Sequence, residues 1–117
     1  MKTILRIKRA EEFQKIIENK RLDINDQFVV YHQAKKENQN RVGISVGKKM
    51  GNAVFRNKTK RQLRMMLQTG LEEEFSFDGV VIVRHKYFRG NFESNLKSLK
   101  KLFKTIEKRR YSDESIK

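Results

Sequence analysis

The sequence contains no cysteine, no proline and no tryptophan. Without cysteine there is no disulfide framework and no thiolate metal site. Without proline no stiff linker divides the chain, and its 117 residues suffice for one domain around one hydrophobic core. No apolar run approaches the roughly 20 residues of a membrane span, and the first nine residues lack the apolar stretch of a secretory signal. No lipidation signal supports a membrane surface as partner. These absences point to a cytoplasmic protein without internal repeats, a single domain over residues 1–117. Only the polar, charged residues 111–117 read as a frayed tail.

Charge of one sign is present in excess. There are 28 Lys and Arg against 14 Asp and Glu, a net charge of +14. Self-repulsion of that size opposes compaction and is commonly tolerated where a polyanion neutralises it. The distribution is uneven. From Arg41 to Leu71 no acidic residue occurs, while Arg41, Lys48, Lys49, Arg56, Lys58, Lys60, Arg61 and Arg64 are all basic. An ordinary solvated helix face mixes signs so that i,i+4 pairs form, and none can form inside this segment. Nucleic acid binding through residues 41–64 follows.

Periodicity places the segment in a fold. Phe13, Ile16 and Ile17 predict a helix over residues 10–19, with Glu11 and Glu12 suited to its first turn. Residues 27–33 and 41–46 read as strands, and Gly43 and Ser45 leave one side of the second strand shallow and open. Residues 35–40 form a polar loop. After a glycine turn, Asn52 caps a helix reaching Thr69, with Gly70 as its C-terminal stop. The run Val80-Val81-Ile82-Val83 predicts a buried central strand over residues 79–84. Phe92, Leu96, Leu99, Phe103 and Ile106 form a core-facing stripe on a last helix capped by Asn91. The order α-β-β-α-β-α predicts an α+β two-layer sandwich of helices on a small mixed sheet.

Stepping about 100° per residue from Arg56, residues Asn57, Arg61 and Arg64 land near 100°, 140° and 80°. Phe55, Thr59, Leu63 and Met66 fall opposite, towards the core. The stripe is a donor array suited to phosphate oxygens and base edges. A helix-turn-helix reader fits poorly, because a strand and a glycine turn precede this helix where that motif requires another helix.

The run Arg41-Val42-Gly43-Ile44-Ser45-Val46, then Lys48-Lys49, Gly51-Asn52-Ala53-Val54-Phe55-Arg56-Asn57, Lys60-Arg61 and Arg64 resembles the signature of the bacterial ribonuclease P protein subunit. Phe13-Gln14, residues 27–31 and the apolar strand ending at Arg84 match the family's pattern in place and order. The resemblance implies an accessory subunit of a ribonucleoprotein endoribonuclease, in which a catalytic RNA removes the 5′ leader of precursor tRNA. The Mg²⁺ required is held mainly by that RNA and the substrate, and no further protein partner is needed. The implied fold is ribosomal-protein-S5-domain-2-like, with a left-handed βαβ crossover around the basic helix. Carried over residue by residue, Lys48, Lys49, Arg56, Asn57, Lys60, Arg61 and Arg64 dock on the RNA subunit. The leader lies in a cleft against Phe13, Ile17, Tyr31 and Ser45, where unstacked bases meet aromatic rings irrespective of identity. The sequence departs from the family's pattern at Ile17, Asp26, Gly47 and Thr59.

No catalytic side chain and no protein-held metal is expected. His32 and His85 are too few and too far apart for a metal site, and Glu72-Glu73-Glu74 reads as a solvated run. No Ser/His/Asp or Cys/His set and no paired carboxylates with a partner base are visible. The rival readings are a ribosome-associated structural RNA-binding protein and, with no visible site, a protein nuclease.

Overall fold

A strand that is apolar on both faces must be covered on both, and this requirement organises the molecule. The computed structural model describes residues 5–7, 9–36, 40–71 and 75–111. In chain order the elements are β1 (Leu5–Arg6), α1 (Ala10–Glu18), β2 (Leu22–Ile24), β3 (Phe28–Ala34), β4 (Arg41–Ser45), α2 (Ala53–Met65), β5 (Phe77–Val83) and α3 (Phe92–Ile106). They build a five-stranded sheet in the order β1-β4-β5-β3-β2, with β5 at its centre. Strands β1, β4 and β5 run parallel, and β3 is antiparallel to both β5 and β2.

The expected α+β sandwich forms, and the alternation of side chains along the strands sorts its two faces. Phe28, Val30, Val42, Val81 and Val83 point to the side covered by α2 and α3, where Leu63, Met66, Leu99, Phe103 and Ile106 complete the main core. Val80, Tyr31 and Ile82 point the other way and meet Phe13, Ile16 and Ile17 of α1. Each fully buried aliphatic side chain of this kind contributes roughly 1.5–3 kcal/mol.

The helix starts follow their caps. Asn52 Oδ1 accepts from the Phe55 amide at 2.9 Å. Asn91 and Ser94 form a reciprocal capping box, with Asn91 Oδ1 accepting from Ser94 N at 2.8 Å and Ser94 Oγ from Asn91 N at 3.1 Å.

Several boundaries differ from expectation. Strands β1 and β2 have only two and three residues, too few to produce a readable alternation. Strand β5 starts at Phe77, because Phe77 and Asp78 pair with Ala34 and Gln33. The second helix is regular only to Met65 and ends in a wide turn, Met66–Gly70. Gly70 is therefore not a left-handed stop: Gly51 is the only described glycine at positive φ. Gly70 instead admits Leu96, whose Cδ1 would collide with any Cβ there. In the last helix Phe92 is 40% exposed, off the core stripe, while Asn95 and Leu102 are buried. The loop residues 37–39 and the run Glu72-Glu73-Glu74 lie outside the described residues, as do 112–117 of the expected tail.

Tyr111, by contrast, is packed into the domain. Its ring stacks on Phe77 with centroids 5.3 Å apart, and its hydroxyl lies 2.7 Å from His32 Nδ1. His32 is fully buried, with Nε2 2.9 Å from Asp23 Oδ2. The neutral imidazole satisfies both partners if Nε2–H donates to the carboxylate and Nδ1 accepts from the tyrosine hydroxyl. Burial, opposed in part by Asp23, holds His32 below its ordinary pKa of 6.5. The unfolded chain therefore takes up a proton that the native protein excludes. The contribution of His32 is complete above pH 6.5 and is lost as pH falls below it. Unfolding free energy measured by urea titration should decline on going below pH 6.5, by at most about 1.4 kcal/mol per pH unit for this one group. An imidazole resonance of His32 that titrates at 6.5 would contradict this.

Candidate nucleic-acid interface

The basic residues of the segment come to the surface on α2 because its other side is committed to the core. Thr59, Leu63 and Met66 are buried, and Thr59 Oγ1 donates to the Phe55 carbonyl at 3.1 Å. Phe55, expected on the core side, is 39% exposed. It packs on Phe88 at 5.0 Å between centroids and lies across Gly51, where an added Cβ would stand 2.5 Å from its ring. Gly51 also adopts φ 157°, so the turn into α2 depends on glycine twice.

On the solvent side, Asn57 and Arg61 are exposed, and Arg56, Lys60 and Arg64 are half-buried. Arg56 is held in place by Nε donating to the Gly51 carbonyl at 3.1 Å. Arg64 lies beside Arg6 of β1, and burial together with that second cation lowers its pKa. The Nε of Arg64 is buried without a hydrogen-bond partner. Two like charges held together beside an unsatisfied donor are a ready seat for an anion. Arg6 escaped the sequence reading, since it stands outside the acid-free segment and only the pairing of β1 with β4 brings it to α2. Lys48 and Lys49 are exposed on the short 3₁₀ turn Lys48–Met50, between β4 and α2.

Arg41 does not belong to this surface, although it opens the basic segment. Its side chain is 9% exposed and bonds Glu12 Oε2 at 2.7 Å, with Asp78 Oδ2 at 3.9 Å. The guanidinium bond holds the Glu12 carboxyl below its usual pKa. The reason is strand alternation: Arg41, Gly43 and Ser45 project to the α1 side of β4, while Val42, Ile44 and Val46 project to the side of α2.

That α1 side holds the second group of candidate residues. Phe13, Ile17 and Tyr31 gather around Ile16 and Val80, and Ser45 joins the same sheet face opposite Ile82. The open side expected at Gly43 is filled, because Phe13 leans into it: a Cβ on Gly43 would stand 2.5 Å from the ring edge. Phe13 and Tyr31 are both half-buried, each with part of its ring against the core and part exposed. The two groups thus occupy opposite faces of the sheet. Lys48 and Lys49 follow Ser45 closely in the chain, on the exposed turn that leads from β4 to α2. Asp26, at the β2–β3 turn, is engaged by Lys86 Nζ at 3.4 Å.

Among the described residues no group of three or more His, Cys, Asp or Glu side chains could hold a metal ion. Among them, too, no helix is long and apolar enough to cross a membrane.

Arg41 and Arg61 therefore predict different phenotypes. Arg41→Ala leaves Asp78 buried without its guanidinium and should cost about 3 kcal/mol of stability in urea unfolding. The salt dependence of RNA binding should stay unchanged. A stable Arg41→Ala protein with a flattened salt slope would return Arg41 to the basic surface of α2.

Comparison with known proteins identifies the family and the fold. The family model described as Ribonuclease P matches residues 1–107. The ribonuclease P protein component of Mesoplasma florum is 47% identical over 98 residues, 82% of this chain and 89% of the relative. That of Streptococcus pyogenes serotype M5 is 38% identical over 117 residues, covering 97% and 98% of the two chains. Among solved structures, the RNase P protein of Staphylococcus aureus superposes with a TM-score of 0.77 at 36% identity, covering 87% of this chain and 94% of that one. The Thermotoga maritima protein gives 0.76 at 32% identity, covering 87% and 97%.

Proposed function

Because the chain belongs to the ribonuclease P protein family, as the protein subunit of that ribonucleoprotein endoribonuclease, we propose that its two sheet faces hold two different RNAs. The α2 face, with Asn57, Arg61 and Arg64 at its centre and Arg56, Lys60, Lys48 and Lys49 around them, docks on the catalytic RNA. The cleft of Phe13, Ile17, Tyr31 and Ser45 receives the single-stranded 5′ leader of precursor tRNA. The observation that carries this reading is the segregation itself. Cationic donors from an acid-free stretch of sequence lie on one side of β4, and half-buried aromatic rings lie on the other.

The chemistry on each side suits its partner. Guanidinium groups give phosphate oxygens bidentate, charge-assisted hydrogen bonds. An arginine pair such as Arg6 and Arg64 gains most from an intervening anion, because binding removes a standing repulsion. Phe13 and Tyr31 offer ring faces on which bases of any identity stack, which suits a leader of variable sequence. With Ile17 where the family commonly has a second aromatic, the cleft grips through fewer stacks. In this reading the RNA subunit, with Mg²⁺ held by it and the substrate, carries the cleavage, and the protein contributes affinity and placement in the cytoplasm.

Reconstitution tests the whole. Added to a bacterial ribonuclease P RNA at low Mg²⁺, the protein should stimulate precursor tRNA cleavage. An absence of stimulation would return the ribosomal RNA-binding reading to first place. Within that assay, Tyr31→Ala or Phe13→Ala should weaken leader-bearing precursor by about 1–3 kcal/mol and leave mature tRNA nearly untouched. Equal losses on both substrates would reduce these rings to core support. Arg61→Ala combined with Arg64→Ala should weaken binding of the RNA subunit and reduce its log–log salt slope by about 0.7–0.9 per lost contact. An unaltered slope would place the RNA elsewhere.

A further inference from the structure

Between α2 and the start of α3 lies a cavity of about 280 Å³ that neither proposed RNA contact uses. It is walled by Phe55, Phe88, Phe92 and Tyr87, with Lys58 on the α2 side and Asn95 on the α3 side, and no acidic residue lines it. Phe55 and Phe92 are 39% and 40% exposed, so both lining rings reach the surface. The inner wall is fixed by hydrogen bonds: Tyr87 Oη donates to Gln62 Oε1 at 3.0 Å, and burial raises the Tyr87 pKa to about 12, so the proton stays.

Asn95 is the feature that asks for a ligand. It is 3% exposed, and its Nδ2 donates to the Tyr87 carbonyl at 2.9 Å, which fixes the orientation of the amide. Its Oδ1 is then left buried with no hydrogen-bond partner, a state buried acceptors rarely keep. Gly90, in the same wall, packs closely over it; a Cβ there would stand 2.8 Å from Ser94 Oγ and 3.2 Å from that oxygen. Asn91 and Phe92 open α3, so the positive end of a helix of 15 residues adjoins the cavity.

We propose that this cavity receives one unpaired, amino-bearing nucleobase, adenine or cytosine, from the RNA docked on α2. The inference rests on the reading of α2 as an RNA-docking face, from which Lys58 leads into the cavity. The volume lies just below that of sites for drug-sized ligands and suits a single planar base. Phe55 and Phe92 supply the stacking faces, and Lys58 with the α3 terminus supplies the charge a flanking phosphate needs. Asn95 Oδ1 accepts the exocyclic N–H. Since that oxygen is screened from water, its donor arrives on a group that parts the rim at Gly90 and Phe92.

NMR titration of the full chain with adenosine 5′-monophosphate and with purine riboside 5′-monophosphate, which lacks the amino group, tests this. Adenosine monophosphate should shift the Asn95 side-chain amide and the rings of Phe55 and Phe92. Phe92→Ala should weaken this binding about tenfold, and the purine analogue should bind several-fold more weakly. Phe13→Ala should leave the shifts at Asn95 in place. If Phe92→Ala lowers the Tm, the exposed Lys58→Ala must reproduce the loss of affinity. Shifts confined to the surroundings of Phe13 and Tyr31, no loss in either variant, or equal binding of the two nucleotides would overturn the inference. Each of those outcomes leaves the reconstitution assay to judge the two RNA-binding faces separately.

Discussion

The docking of α1 on β4 is the contact on which the layout depends. It has two parts. Phe13 enters the space that Gly43 leaves empty, and Arg41 is clamped between Glu12 of α1 and Asp78 of β5. One part is apolar and positions the helix by shape; the other is ionic and positions it by charge. Together they seal part of the second sheet face and leave Phe13 and Tyr31 half-covered. Without that helix β5 would expose Val80 and Ile82, and a strand apolar on both faces could not sit at the centre of the sheet.

This clamp also explains how a chain with a net charge of +14 keeps a compact core. Its few buried charges are paired across elements. Arg41 meets Glu12 and Asp78, and Asp23 meets His32 with Arg109 and Arg110 close by. The excess cations go to surfaces where carboxylates are scarce, above all the outer side of α2. The fold thus separates cations that hold the protein together from cations available to a polyanion. Arg41 and Arg64 show the difference: the first is matched by two carboxylates, the second is crowded by Arg6 and left with an unsatisfied Nε.

Much of this was legible in the residues. The period-3.6 stripes of α1 and α3, the apolar run of β5 and the Asn52 and Asn91 caps are local signals, and they locate the elements because burial and capping act over a few residues. The phasing of Asn57, Arg61 and Arg64 against Thr59, Leu63 and Met66 also needed only helical geometry, and the outer face of α2 lies where that geometry placed it. Strands β1 and β2 were illegible, since they exist by pairing with β4 and β3 rather than by any pattern of their own. Tyr111 looked like tail because its partners, Phe77 and His32, are distant in the chain.

What the sequence by itself determined is the charge that implies a polyanion partner and the helix that carries it: the basic segment is free of acid, and α2 can present its cations on one side only. What the tertiary structure decided is which cations remain for that partner. Arg41 is withdrawn because strand alternation turns it towards α1, and Arg6 comes beside Arg64 because β1 pairs with β4. The structure likewise gathered Phe13 and Tyr31 on the α1 side of the sheet, and left the Asn95 carbonyl without a donor in a cavity between α2 and α3. The physical reason is the same in each case. Charge and periodicity are properties of neighbouring residues, whereas desolvation and pairing depend on which distant residues the fold brings together.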